Sequence, residues 1–414
     1  MKIILKLFCI IFTVSLLRAQ DTEKDRGIIK KIADNIIEST VYHFVDLSSG
    51  KEYSSNNEIP PDAQVRLKST FEEWHYTNGV INMAMINLAD FLGDKKYFDY
   101  TAKHIAFGMD NYKFFQARYM KDIPYYNYPL GQLWTMKELD DCGAMGASMI
   151  DIYQKIKRDD YLEYIEKAAN HISKVQSRLD DGTLARKFPH KMTIWADDLF
   201  MSVPFLARIG KLSGDRKYWD DAINQVLNFT KYLWDENAQL YYHCYYADLK
   251  RNGVAHWGRC NGWVMMAQVQ LLNQLPKDYP KREMIIKYLE RQILGVAKYQ
   301  GGNGLWHQIL DKNDSYFETS CSAMFIYCIA RAVNQGWIDA RYGSIAIKGW
   351  EGLLSNKITF DGQVKDICVG TGIEDNMAFY YNRPAQLNDK HGLGSVIDAG
   401  IEIIKLKESM GKNG

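Results

Sequence analysis

The 414-residue sequence predicts an all-α fold, an (α/α)6 barrel of six helical hairpins, on three observations. A helical unit recurs about every sixty residues, amphipathic helices alternate with uniformly apolar ones, and there are only nine prolines. Hydrophobic residues make up 47% and charged residues 24%, the balance of a soluble globular chain, which excludes a disordered or collagen-like one. Aromatic content is 13%, enough for a large core, a sugar-stacking cleft, or both.

Residues 1–19 carry Lys2, Lys6 and Arg18 without an acid, the apolar run Leu7–Leu17 and a small residue at Ala19, which is the layout of an export signal. The run is shorter than the ~20 residues that span a bilayer. The expectation is a periplasmic protein whose residues 20–414 form one catalytic barrel, with no membrane insertion once the signal is removed. Without that stretch 48 basic residues face 50 acidic ones, and a near-neutral body argues against nucleic acid as the partner.

The first amphipathic helix opens near Ile28. Polar turns then precede Tyr97 in GDKKYFDYTAKHI, Tyr161 in RDDYLEYIEKAANHI and Tyr218 in GDRKYWDDAINQVL, with looser copies at Met284 and Tyr342. The separations are 69, 64, 57, 66 and 58 residues. Between these helices lie VINMAMINLADFL, CGAMGASMIDIYQKI, LFMSVPFLARIGKL, GWVMMAQVQLLNQL and CSAMFIYCIARAV, apolar on every side. A helix apolar all round is buried on both sides, whereas one with a polar face lies outside, so the alternation describes two concentric rings. An open α-solenoid is the alternative. The even count of six and the lack of polar capping repeats favour closure. Strands should be few and confined to loops such as Leu240–Tyr246.

Six cysteines follow the apolar run, none in a CxxC or a Cys/His cluster of zinc spacing, so neither a disulfide scaffold nor a structural metal is expected. Cys244 and Cys260 stay open as a disulfide or as free thiols.

In such a barrel, polar residues at the starts of inner helices mark the cavity. TIWADDLFM embeds Asp197 and Asp198 in apolar surroundings, and KELDDCGAM places Asp140 and Asp141 at the same point of the preceding unit. Paired carboxylates suit acid/base work on sugars, while helix capping is the bland reading of each. AHWGRCNGWVMM brings His256, Arg259 and Trp263: a guanidinium for a carboxylate and an indole face for a sugar. YYHCYYAD offers His243, a lone histidine that can equally be structural. GLWHQILDKNDSYFETSCSAM carries Trp306, His307 and Glu318, the last a third carboxylate or a first-turn acid.

In this order, together with EWHYTNGV (Trp74, Tyr76) and NDKHGLGSVIDAGIE, these motifs resemble the unsaturated glucuronyl and rhamnogalacturonyl hydrolases, glycoside hydrolase families 88 and 105, and family 105 more closely. The resemblance covers nearly the whole chain after residue 19. It implies an (α/α)6 barrel that acts without a metal or organic cofactor on lyase-generated oligosaccharides, hydrating the C4–C5 double bond of their terminal unsaturated uronic acid. It further implies Asp197 as general acid/base, Asp141 as the second acid, His243 as the histidine of the Tyr-His motif, and Arg259 and Trp263 as carboxylate and ring contacts. Tyr76, Trp74 and Trp306 are expected to line the sugar site. Two rivals stand beside this reading: a non-catalytic glycan-binding protein and a polysaccharide lyase on the same barrel. The short loop between His243 and Arg259 leaves the parent polysaccharide open.

Overall fold

The computed structural model describes residues 21–412, so the export-signal expectation for residues 1–19 falls outside the described residues. Twelve long helices are described: α1 (residues 21–38), α2 (Tyr76–Leu92), α3 (Lys95–Ala117), α4 (Gly143–Lys155), α5 (Asp159–Asn170), α6 (Asp198–Ser213), α7 (Arg216–Leu233), α8 (Gly258–Gln274), α9 (Arg282–Ala297), α10 (Thr319–Asn334), α11 (Gly343–Asn356) and α12 (Lys390–Lys412). The even-numbered helices touch in the order α2, α4, α6, α8, α10, α12 and back to α2, a closed inner ring. The odd-numbered helices α3 to α11 each pack on the outside of it. The barrel is therefore closed, and the solenoid reading falls.

Burial follows the predicted alternation. Every residue of α8 from Gly258 to Leu272 is buried, whereas outer helix α7 buries one stripe that includes Ile223, Val226, Phe229 and Leu233. The sixth inner helix, α12, escapes the apolar reading because it carries Asp398 and Glu402 on its buried side. Outer helix α1 closes the circle against it: Asp25 accepts from Trp350 Nε1 (3.0 Å) and Lys407 Nζ (2.8 Å).

The repeated GD turn has a local cause. Gly93 and Gly214 end inner helices with φ of 67° and 71°, a left-handed conformation cheap only for glycine. Asp94 and Asp215 then cap the next outer helix, accepting from Lys96 N (3.1 Å) and Lys217 N (3.0 Å). The small residues of CGAMGASM serve close packing: a Cβ on Gly143 would lie 1.6 Å from the Met201 carbonyl oxygen, so α4 and α6 touch backbone to backbone there.

Strands are short. β1 (Phe44–Asp46), β2 (Glu52–Tyr53) and β3 (Val65–Leu67) form an antiparallel sheet in the order β2-β1-β3, with Phe44 opposite both Tyr53 and Leu67. The sequence reading does not anticipate this sheet. Further along come β4 (Thr193–Trp195), β5 (Trp234–Asp235), β6 (Leu240–Tyr241), β7 (Cys244–Tyr246), β8 (Arg251–Asn252), β9 (Trp306–His307), β10 (Phe317–Glu318) and β11 (Ile367–Cys368). β4 pairs with β7, Trp195 opposite Cys244, which ties the residues before α6 to those before α8.

All inner helices run the same way. Their N-terminal ends meet through Tyr76 with His391 and Arg259 with Ser320, and their C-terminal ends through Asn87 with Asp398 and Arg208 with Gln270. Six helix N-termini thus converge on one mouth, where their dipoles favour a negative ligand.

Candidate active site

The two acidic doublets meet at the mouth, and each divides its labour between neighbours. Asp198 is fully buried and accepts from Arg186 Nη2 (2.6 Å) and Nε (3.0 Å), while Asp140 takes Nη1 of the same guanidinium (3.0 Å). Burial pushes the Asp198 carboxyl up against the pull of Arg186. One arginine therefore bolts the start of α6 to the turn before α4. Asp198 is no helix cap, and nothing in the sequence around Arg186 (LARKFPHK) singles it out.

Asp197 occupies the N-cap position of α6 yet makes no capping hydrogen bond. Its carboxylate, 15% exposed, lies instead with Oδ2 3.0 Å from Nε2 of the fully buried His243. The other ring nitrogen, Nδ1, is 2.9 Å from the Tyr380 hydroxyl, and the Glu374 amide donates to that hydroxyl oxygen (3.4 Å). Asp197, His243 and Tyr380 form a chain whose free end meets solvent at Asp197. Trp257 packs against the imidazole (ring centroids 4.6 Å apart). Tyr380 sits on a short helix (Met377–Tyr381) in the loop before α12, with no signal in the sequence.

Asp141 is buried in its own turn, accepting from Lys137 N (2.7 Å), Gln132 Nε2 (2.9 Å) and Glu138 N (3.3 Å). Burial holds its carboxyl up at about 6 despite these donors. No hydrogen bond or ion pair joins it to Asp197 among the described residues.

A second proton chain starts at Tyr76, the first residue of α2. Its hydroxyl is 2.7 Å from His391 Nε2, and His391 Nδ1 is 2.5 Å from Asp389 Oδ1. Burial, with the nearby Arg259 charge, lowers the His391 pKa and so favours the neutral ring. Nδ1–H then donates to Asp389, Nε2 accepts from the Tyr76 hydroxyl, and the Tyr76 oxygen faces the mouth as an acceptor. The sequence analysis does not single out His391 and Asp389, although NDKHGLG carries the signal, a polar start to an inner helix.

Arg259 is buried, and its Nη atoms donate to the carbonyls of Cys368 and of Val369 (2.6 Å), pinning β11 to the ring. Its Nε has no partner and is buried. Trp263 is buried beside Phe200 (4.7 Å between ring centroids) and edge-on to Tyr76 (6.4 Å).

Two expected site residues pack into the wall away from Asp197, although Trp74 also borders the cavity beside β3. Trp306 is fully buried between the rings, its Nε1 donating to the Val296 carbonyl (2.7 Å) and its ring against Phe325. Trp74 is buried over Gly108, with Nε1 donating to the Tyr164 hydroxyl (2.9 Å). Large aromatics at helix starts serve packing as readily as binding, and only the direction of the side chain separates the two. Glu318 resolves as a cap, accepting from Ser320 N (2.8 Å), Cys321 N (2.7 Å) and Cys368 N (2.9 Å). His256 is clasped between Asp235 (3.3 Å) and Asp311 (3.2 Å). Cys244 and Cys260 are separate buried thiols, so the disulfide option is overturned.

Comparison with known proteins fits this geometry. The model of Glycosyl Hydrolase Family 88 matches residues 54–407, a span that contains every mouth residue named above. The chain is 26% identical over 274 residues to the unsaturated rhamnogalacturonyl hydrolase YesR of Bacillus subtilis, covering 64% of this chain and 77% of that protein. It is 30% identical over 176 residues to an unsaturated 3S-rhamnoglycuronyl hydrolase of Alteromonas sp., 41% of this chain and 42% of the other. A solved family 105 glycoside hydrolase from C. acetobutylicum superposes with a TM-score of 0.72 at 23% identity, over 91% of this chain and 98% of that one. With its family match running from just after β2 through most of α12, this chain belongs to glycosyl hydrolase family 88 and is an enzyme of the family 88/105 group.

Proposed function

We propose that the enzyme removes a 4,5-unsaturated uronic acid from the non-reducing end of lyase-generated oligosaccharides by hydrating its C4–C5 double bond, with Asp197 as the acid and base. The observation that carries this reading is the Asp197 carboxylate, uncapped at the start of α6, partly exposed and 3.0 Å from a buried histidine. A carboxyl there can give its proton to C4. Positive charge then develops at C5 and spreads onto the ring oxygen. Water adds at C5 and its proton returns to Asp197, so the catalyst is regenerated and the net change is one added water. The hemiketal at C5 opens to a ketone, and the hemiacetal left at C1 releases the next sugar.

His243, fixed by Tyr380, holds the Asp197 carboxyl in place and shares the proton with it. Tyr76 accepts from a sugar hydroxyl, and the converging helix N-termini with Arg259 favour the uronate carboxylate. Asp141 shapes the turn that faces this mouth. We further propose export to the periplasm, supported by the character of residues 1–19. Relatives named for rhamnogalacturonyl and for 3S-rhamnoglycuronyl substrates keep both sugar classes within the proposal.

The conjugated enol acid absorbs in the near ultraviolet. Hydration removes this absorbance, a lyase creates it, and a binding protein leaves it unchanged. Asp197→Asn should abolish nearly all of the absorbance loss, by about 10²–10⁴-fold in kcat, the usual share of general acid/base catalysis. Full activity in that variant refutes the mechanism.

A further inference from the structure

We propose that the groove between β3 and residues 120–132 is a second carbohydrate subsite, which takes the sugars beyond the bond being broken. This rests on the hydrolase reading above and extends it from a terminal uronate to a longer chain.

Two adjoining cavities form the groove. The inner one, about 440 Å³, reaches His75 and Gln132, and the outer one, about 710 Å³, reaches Leu47 and Met120. They share Val65, Arg66, Tyr126, Asn127, Tyr128 and Pro129 as walls, so they lie side by side along one groove. Each has the size of a ligand pocket. Its inner end abuts the mouth: Gln132 donates to Asp141, and the His75 ring lies 4.3 Å from that of Tyr76.

The lining suits a polyhydroxylated chain. Tyr126 is 72% exposed, Met120 56% and Leu47 55%, an unusual gathering of apolar surface along one groove. Tyr125 stands edge-on to Tyr126 (5.7 Å), with Lys137 Nζ over its ring (4.8 Å). Around these faces lie donors with spare capacity. Lys68 is engaged by Glu52 and Glu73 by Lys390, but Arg66 and Arg118 form no ion pair among the described residues. Arg66 gives one contact to the carbonyl of its neighbour Leu67 (3.3 Å), and Arg118 one to the Ile59 carbonyl (3.4 Å). Aromatic faces with guanidinium forks bind sugars that carry an occasional acidic group. A protein partner would bury a broader, flatter patch than this groove offers.

The test compares an unsaturated disaccharide with the unsaturated tetrasaccharide that extends it, both from lyase digests of rhamnogalacturonan and of ulvan, followed by loss of near-ultraviolet absorbance. For whichever polymer supplies a substrate, wild-type kcat/KM should favour the tetrasaccharide about tenfold. Tyr126→Ala and Arg66→Ser should each remove most of that advantage through KM, leave disaccharide kinetics unchanged, and Tyr126→Phe should retain it. Disaccharide turnover with no tetrasaccharide advantage, or an advantage that survives both substitutions, overturns the groove and leaves the hydrolase reading standing. If no unsaturated substrate is turned over, the hydrolase reading fails and the groove proposal falls with it.

Discussion

The two ends of the inner ring are built from similar residues and finished differently. At the C-terminal end Arg331 pairs with Glu402 (3.2 Å) and binds Asn273, Arg208 pairs with Asp151 (2.8 Å) and binds Gln270, and Asp398 accepts from Asn87 (2.8 Å). None of these side chains leaves a buried polar atom without a partner. At the N-terminal mouth, buried atoms of Trp257, Arg259, Gln308 and Tyr316 lack a hydrogen-bond partner. An unsatisfied buried polar atom costs on the order of 1–3 kcal/mol, so several in one place need a reason. The floor residues satisfy one another around a cavity of about 520 Å³, and the mouth keeps its hydrogen-bonding capacity for a substrate.

Substitutions at both ends can break this contrast. Asp197→Asn, the largest expected effect, should cost orders of magnitude in kcat with the melting temperature nearly unchanged. A large fall in melting temperature would mean that Asp197 is holding structure after all. Next comes Arg186→Met, which strands two carboxylates, one of them fully buried. Breaking a buried pair from one side costs about 3–5 kcal/mol. Denaturant unfolding should show that loss, and an unchanged midpoint would show that Asp140 and Asp198 need no common cation.

Asp398 tests the floor through pH. Burial, reinforced by the Glu402 charge, holds its carboxyl up at about 7 against the pull of Asn87. The folded state therefore keeps a proton that the unfolded chain, with an ordinary carboxyl near 3.8, has lost. The stability tied to this group is present below the unfolded value and is lost as pH rises towards 7. Asp398→Asn should flatten the decline in melting temperature across that window while leaving kcat alone. An identical slope in the variant would remove Asp398 from the account.

The smallest effect is expected at Tyr380→Phe, which removes one hydrogen bond from the chain behind Asp197. It should lower kcat no more than about tenfold, in line with a contribution of about 0.5–1.5 kcal/mol, and displace the pH profile of kcat without changing KM. A KM effect alone would place Tyr380 in substrate binding instead.

Much of this protein was legible without coordinates. The sixty-residue spacing and the change from one-sided to all-round apolar helices give the number of hairpins and which helices lie inside, because helical periodicity and burial are local properties of the chain. The same reading singles out Asp197, since a polar group embedded at the start of a buried helix is conspicuous in one dimension, whereas His243, a loop residue, and Tyr76 take their place in the site from the family resemblance. The family resemblance favours Asp197 over Asp198, adjacent residues of the same type, and the tertiary structure supplies the physical reason. One is turned to a histidine forty-six residues on, the other to Arg186, and no local rule distinguishes them. It also removes Trp74 and Trp306 from the site, turns Arg259 into the pin of β11, and assembles Tyr380, His391 and Asp389 from the far end of the chain. Residue type and spacing fix what a group can do and on which helix it rides. The direction of its side chain and the identity of its partner arise only when the ring closes and brings distant N-termini together.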